Sequence, residues 1–323
     1  MSVMQWIDAK SVEEAVHALG KGAVIKAGGI DLLDLMKEGI VQPDRIVNLR
    51  TVAGLNEIRV DEHGGLQVGA LVTLAQIAAD PRIQTQYAAL AAAASHAATP
   101  QVRNVATLGG NVMQRPRCWY FRNEHFQGTD IAAAAREGEN QYHAVLNNER
   151  TVLVHASTPA TALLAYGATV HVTGSKGTRS IAIDKFFLEP DPSRDRDVAM
   201  QADEVLTQIT LPTAATKVSA YHKQTERDSY DWPICDVAVV LQLNSDRSVA
   251  KAAISMGWVA PTPMRAAAAE ALLAGKQVDE ALAAEAARIT VRAATPLSKN
   301  AYKVPVLEAV LRRTILAAVG QVG

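Results

Sequence analysis

Cysteine is nearly missing from this chain: Cys118 and Cys235 are the only two in 323 residues. Two thiols cannot by themselves complete a tetrahedral zinc site, a four-thiolate iron–sulfur site or a disulfide scaffold. Both are expected as free thiols of a reducing compartment. A dominant charge is missing as well. The 32 Lys and Arg stand against 33 Asp and Glu, a net of -1, and gripping nucleic acid needs a concentrated positive field that such a balance does not provide. Long apolar runs are absent too. Tyr87 to Ala98 is broken by Ser95 and His96, and no stretch reaches the ~20 residues of a membrane span. The opening MSVMQWIDAK shows no basic segment before an apolar core, so no secretory signal is expected and cytoplasm is the default location.

What is present is an ordinary globular composition, 49% hydrophobic and 20% charged, which excludes global disorder. The length predicts about two domains. Ser11-Val-Glu-Glu14 predicts a capped first helix ending near Gly20. Ala23–Ala27 reads as a buried strand, Gly28-Gly29 as a turn and Asp31–Lys37 as a helix. Arg45–Leu49 is strand-like, and Ile58–Val60 and Leu66–Val68 flank a hairpin turn. Thr73–Gln76 is a second capping box, and Tyr87–Ala98 a helix with a small-residue face. Residues 115–150 have no period and read as a long insertion loop, a feature that is often functional. Thr151–His155 then reads as a strand, Pro159–Tyr166 as a helix, and Ala168–Thr173 with Arg179–Ile183 as two strands.

The charged, proline-bearing segment Glu189–Asp197 is the best candidate boundary region. Three strand-like runs follow, Val218–Gln224, Asp236–Leu243 and Val249–Trp258. Three helices come next, from about Pro263, Asp279 and Val304. Strands followed by helices indicate a separate α+β unit, and no fixed-period repeat is visible.

Two glycine constellations carry chemistry. Lys26-Ala-Gly-Gly-Ile-Asp-Leu-Leu33 runs from strand through a double glycine into a helix, letting peptide N–H groups and a helix start approach an anion such as a diphosphate. Thr107-Leu-Gly-Gly-Asn111 is a second polar nest. Either alone is as well explained by a structural turn. Together they point to an extended dinucleotide. No Gly-x-Gly-x-x-Gly and no phosphate-loop lysine occurs, so a nicotinamide Rossmann site or NTPase has no support. His96, His143 and His155 read as core or surface histidines, Asp31 and Asp34 as a solvated helix start, and Ser157-Thr158 as an N-cap. No nucleophile–base–orienter set is visible, so hydrolase chemistry has no support.

These residues, taken in order, resemble the FAD-binding subunits of the molybdenum hydroxylases, the xanthine dehydrogenase, carbon monoxide dehydrogenase and aldehyde oxidoreductase family. The resemblance covers nearly the whole chain. It rests on Ala27–Leu32, Ala106–Asn111, Arg179–Asp184 with Phe186-Phe187, and Asp203–Pro212. In the last third it rests on Tyr221–Arg227 and Thr295–Lys303. It implies an α+β protein, with a two-part vanillyl-alcohol-oxidase-type FAD-binding domain over 1–213 and a C-terminal α+β domain over 214–323 carrying a three-stranded sheet and helices. It also implies that Lys26, Ala27, Gly28, Gly29, Ile30, Asp31, Leu32 and Leu33 line the FAD diphosphate, with Thr107, Gly110 and Asn111 on its other side. Leu206 and Lys223 match positions near the flavin ring, where a cation stabilises negative charge on reduced flavin. Thr158 stands where the family commonly has an aspartate.

Arg115-Pro-Arg-Cys-Trp-Tyr-Phe-Arg122 and Arg136–Val145 look like the branch whose flavin subunit holds a [4Fe–4S] cluster, which includes 4-hydroxybenzoyl-CoA reductase and a bacterial periplasmic aldehyde oxidoreductase. Only Cys118 remains there, so no [4Fe–4S] cluster is expected in this chain. The resemblance implies a heterotrimer. A large subunit would hold molybdopterin, a small one [2Fe–2S] clusters, and electrons would pass through this FAD to oxygen, NAD or another acceptor. It favours an aldehyde-oxidising complex over a xanthine-type one, and leaves open export through a partner's signal to the periplasm. The rival readings are a self-contained flavin oxidase and an assembly protein that has lost its cofactor.

Overall fold

A computed structural model describes residues 4–320, and it is α+β with three separate sheets and no barrel. The first sheet is parallel and three-stranded, β1 (Gln5–Asp8), β2 (Ala23–Lys26) and β3 (Arg45–Asn48), with β3 in the middle. Helices Val12–Ala18 and Ile30–Lys37 make its crossovers, as parallel strands require. Ser11 caps the first helix by accepting the Glu14 N–H at 3.1 Å. The expected reciprocal bond is displaced by one residue, because the Glu14 carboxylate takes the N–H of Lys10 at 2.7 Å. The Thr73–Gln76 capping box forms in both directions.

The second sheet is antiparallel: β4 (Ile58–Val60), β5 (Leu66–Gly69), β6 (Thr169–Gly174), β7 (Gly177–Ala182) and β8 (Val205–Leu211), in the order β4-β5-β8-β6-β7. Strand β8 follows the charged segment Glu189–Asp197 and returns to the middle of this sheet. That segment therefore lies inside the first two-thirds of the chain, although its composition suggests a boundary region. Val68, Val170, Val172 and Ile209 bury against the alanine-rich helix Ala88–Ser95 and the wholly buried helix Thr158–Tyr166.

The third sheet has four strands, one more than expected: β9 (Lys217–Gln224), β10 (Cys235–Leu243), β11 (Val249–Gly257) and the two-residue edge strand β12 (Met264–Arg265). Because β12 takes Met264 and Arg265, the next helix begins only at Ala267. Both faces of this sheet are covered, which explains the nearly unbroken apolar run of β10. Cys235, Val237, Val239 and Leu241 pack with helices Glu280–Val291 and Lys303–Ala318. Ala238 and Val240 belong instead to the core shared with the first two-thirds of the chain. By the same alternation Asp236 faces that side. Its carboxyl oxygens accept from Tyr221 at 2.8 Å and Thr161 at 3.1 Å.

The 115–150 segment is more structured than its sequence suggests, holding a 3₁₀ turn at Glu124–Phe126 and a helix at Ile131–Glu137. Cys118, Phe121, Ile131 and Ala135 form a small core with Leu35, Val152 and Leu153. Thr151–His155 is buried but pairs with no strand, which corrects the strand reading. The segment is stitched to the last helix by Lys303, whose fully buried ammonium donates to the carbonyls of Tyr142, His143 and Trp258 at 3.1, 3.1 and 2.6 Å. His143 Nε2 lies 3.1 Å from Cys118 Sγ. Burial pushes that thiol up to about 11 and the imidazole down to about 4. His155, also buried, is pushed down to about 4 and donates from Nε2 to the Val112 carbonyl at 3.2 Å.

Two outcomes are expected from this packing. A Cβ on Gly257 would lie 2.1 Å from Asp236 Oδ1 and 2.3 Å from Thr161 Oγ1. Gly257→Ala should therefore cost about 1–3 kcal/mol through overpacking, read from the denaturant midpoint. His143 and His155 stay neutral in the fold but protonate near 6.5 when unfolded. Between those values the unfolded chain binds more protons, so stability is lost as pH falls from 6.5 toward 4, by about 3 kcal/mol per histidine at pH 4. His155→Gln should flatten that part of the stability–pH curve, and an unchanged slope would remove His155 from the account.

Candidate cofactor site

The helix Ile30–Lys37 begins at Gly29, whose φ of 85° is the left-handed conformation that glycine adopts without strain. No side chain caps its first turn, so the N–H groups there are left to a ligand, and the helix field favours an anion. Ile30 and Leu33 expose 40% and 43% of their surface beside it, an apolar presentation of the kind that a bound cofactor covers. Lys26 ends the preceding strand with its ammonium 5.5 Å above the Trp6 ring, and burial lowers its pKa.

The second glycine turn is pressed against the first. A Cβ on Gly28 would lie 2.3 Å from the Val105 carbonyl oxygen, so only glycine allows the two turns to touch. Thr107 then caps the short helix Leu108–Val112, accepting the Gly110 N–H at 3.2 Å. Gly110 itself is exposed. The Asn111 carboxamide oxygen accepts from Ser157 Oγ at 2.5 Å, which leaves its –NH₂ group for a ligand. An uncapped helix start, exposed apolar neighbours, a nearby ammonium and an unspent carboxamide fit a dinucleotide diphosphate.

The remaining predicted residues lie on other elements. Thr158 is buried and its hydroxyl donates to the Ala93 carbonyl at 3.2 Å, while its neighbour Ser157 reaches the nest and also caps the helix. Leu206 is buried in β8, inside the larger core. Lys223, on β9, extends to the His96 carbonyl at 2.8 Å, and burial lowers its pKa.

Asp31 is largely withdrawn from solvent and Asp34 stays half-exposed, and both are paired rather than simply solvated. Arg122 bonds Asp34 at 2.6 Å and Asp31 at 2.7 Å, and Arg117 pairs with Asp31 at 2.9 Å. The Arg115 N–H donates to Asp31 at 2.9 Å, and its guanidinium forms an ion pair with buried Asp197 at 2.8 Å. Arg117 also lies 5.1 Å from the exposed Trp232 ring, which stacks on Trp258. The nest helix is thus clasped by the insertion segment. The run of three arginines in eight residues is visible in the sequence, but its pairing with Asp31, Asp34 and Asp197 is not. Among the described residues, no group of three or more His, Cys, Asp or Glu side chains is placed to hold a metal ion.

Comparison with known proteins matches residues 2–214 to the FAD binding domain in molybdopterin dehydrogenase and residues 220–318 to the CO dehydrogenase flavoprotein C-terminal domain. The aldehyde oxidoreductase FAD-binding subunit PaoB of Escherichia coli (strain K12) is 35% identical over 260 residues, covering 78% of this chain and 79% of its own. The carbon monoxide dehydrogenase medium chain of Hydrogenophaga pseudoflava is 28% identical, covering 96% and 94%. A solved carbon monoxide dehydrogenase structure from that organism superposes with a TM-score of 0.77 at 26% identity, covering 99% of this chain and 98% of the other. With both domains matched and the paired glycine turns in place, the chain belongs to the family of FAD-binding subunits of the molybdenum hydroxylases.

Proposed function

We propose that this chain is the electron-carrying FAD subunit of a heterotrimeric aldehyde oxidoreductase, acting in the cytoplasm beside a large molybdopterin subunit and a small [2Fe–2S] subunit. The observation that carries the reading is the contact of the two glycine turns through Gly28 and Val105, beside a helix start that no side chain caps. The 35% identity to an aldehyde oxidoreductase FAD-binding subunit supports the substrate class. Within the complex, FAD supplies the exchange of electrons between iron–sulfur carriers and a terminal acceptor.

The chain's own residues bind and tune. Residues Lys26 to Leu33 hold the diphosphate through backbone N–H groups, and Gly110 and Asn111 close its other side. Thr107 and Ser157 fix the shape of that side. Lys223 places a positive charge toward the flavin ring, and Leu206 stiffens the strand beneath it. We place the division between the FAD-binding domain and the C-terminal domain at 213/214. Cys118 is the insertion segment's single cysteine and the arginine clasp holds that segment, so the reading includes no [4Fe–4S] centre in this chain. Among the described residues, no helix is long and apolar enough to cross a membrane.

An absorption spectrum of the protein with whatever copurifies, followed anaerobically during aldehyde addition, tests the reading. Flavin bands bleached by aldehyde in the presence of molybdenum and iron–sulfur partners are expected. Bleaching of a lone chain by a small molecule would establish a self-contained oxidase instead. Gly110→Val should lower flavin content in a folded subunit, read from the flavin-to-protein absorbance ratio, because a side chain there narrows the nest beside Thr107. Lys223→Ala should lower the flavin reduction potential, and a potential equal to wild type would remove that role.

A further inference from the structure

Asp236 is fully buried at the seam between the four-stranded sheet and the first two-thirds of the chain. Its oxygens accept from Tyr221 on β9 and from Thr161 on the helix Thr158–Tyr166. The backbone of Gly257 on β11 closes the remaining side. Directly across the β9–β10 pair stands Lys223. Residues opposite each other in an antiparallel pair share a face, so the lysine and the carboxyl lie on the same side of the sheet. The ammonium does not sit on the carboxylate. It reaches to the His96 carbonyl, at the end of the helix Ala88–Ser95.

We propose that Asp236 is a positioning residue for Lys223: its charge state sets how much of the lysine's positive field reaches the flavin, so that one buried carboxyl tunes the cofactor's potential. The inference rests on the FAD-subunit reading above and adds a proton-linked control to it. Charges held apart at low dielectric act on a third group as a sum. With Asp236 neutral the flavin feels the whole ammonium. With Asp236 ionised part of that field is cancelled, and reduced, negatively charged flavin loses stabilisation.

The surroundings make this titration relevant near neutrality. Burial pushes the Asp236 carboxyl up to about 7, against the opposing pull of the Tyr221 and Thr161 hydrogen bonds and of Lys223. Burial likewise lowers Lys223, with Asp236 and Asp231 opposing and Arg103 adding to the shift. The other groups facing the carboxyl do not change charge in that range. Tyr221 is held far above its ordinary value, and Cys235, next in the strand but on the opposite face, is pushed up to about 12. Thr161 and Gly257 carry no titrating group. His96 is the neighbouring imidazole at the seam, its carbonyl holding Lys223 and its ring 6.5 Å from that of Tyr221.

The test is a spectroelectrochemical titration of the flavin in the purified complex on both sides of pH 7. Wild type should show an extra fall in potential as pH rises through about 7. Asp236→Asn should lack that break and lie above wild type on its alkaline side. Tyr221→Phe removes a hydrogen bond that favours the carboxylate, so the break should move to higher pH. If Asp236→Asn does not fold, the Tyr221→Phe shift decides alone. Flavin bound normally, with all three profiles superimposed, overturns this inference and leaves the FAD-subunit reading intact. A wild-type complex that carries no flavin overturns the FAD-subunit reading itself.

Discussion

A charge removed from water must find an opposite charge or a hydrogen bond, and one set of such charges organises the surroundings of the cofactor site. Asp31 and Asp34 project from the helix that begins the diphosphate nest, and Arg117 and Arg122 meet them from the insertion segment. Arg115 adds its N–H to Asp31 while its guanidinium pairs with Asp197, within the charged turn before β8. Three stretches far apart in sequence are thereby joined at one end of the nest helix. Such an ion-pair network contributes little net stability against its desolvation cost, yet breaking it on one side is costly. Its effect is to fix one arrangement, and here that arrangement includes the direction in which the helix start points.

Much of the architecture can be read from local pattern. The run Cys235–Leu243 is too apolar for a strand with a wet face, and it is covered on both sides. The glycine pairs mark both turns of the nest, and the capping serines and threonines mark helix starts where Ser11, Thr73 and Ser157 accept N–H groups. What local pattern leaves out is pairing. Thr151–His155 has the β-branched composition of a strand, but a strand requires a ladder and only the single Ala144 N–H bond to the Val152 carbonyl lies alongside. Met264–Arg265 has no composition to speak of, yet it becomes an edge strand because β11 offers an open ladder.

The site divides the same way. Backbone chemistry, which depends on glycine and a helix start, was visible at Gly28-Gly29 and Thr107–Asn111. Side-chain partners were not. Nothing near Asp31 in sequence announces Arg115 or Arg122, which bond it from 84 and 91 residues away. Nothing near Asp236 announces Thr161, at a separation of 75. Ser157 reads as a helix cap and is one, but its bond to Asn111 across 46 residues ties the cap to the nest.

On the reading proposed above, these long-range contacts give the flavin subunit two kinds of control over one cofactor. The nest belongs to the first part of the chain and presents main-chain groups, which no titration alters. Lys223 comes from the second part and crosses the seam to the His96 carbonyl. Its field is therefore a property of how the two parts meet. Other polar groups at that seam also hold the parts together: Ser219 accepts from the Ala89 N–H and from the Tyr166 hydroxyl, and Ser255 donates to the Thr161 carbonyl. Asp236 accepts from both sides of the same seam. A residue that binds the parts and carries a titratable charge beside Lys223 links the packing of the fold to the electrostatics of its cofactor, and an apolar residue of similar volume would supply only the packing.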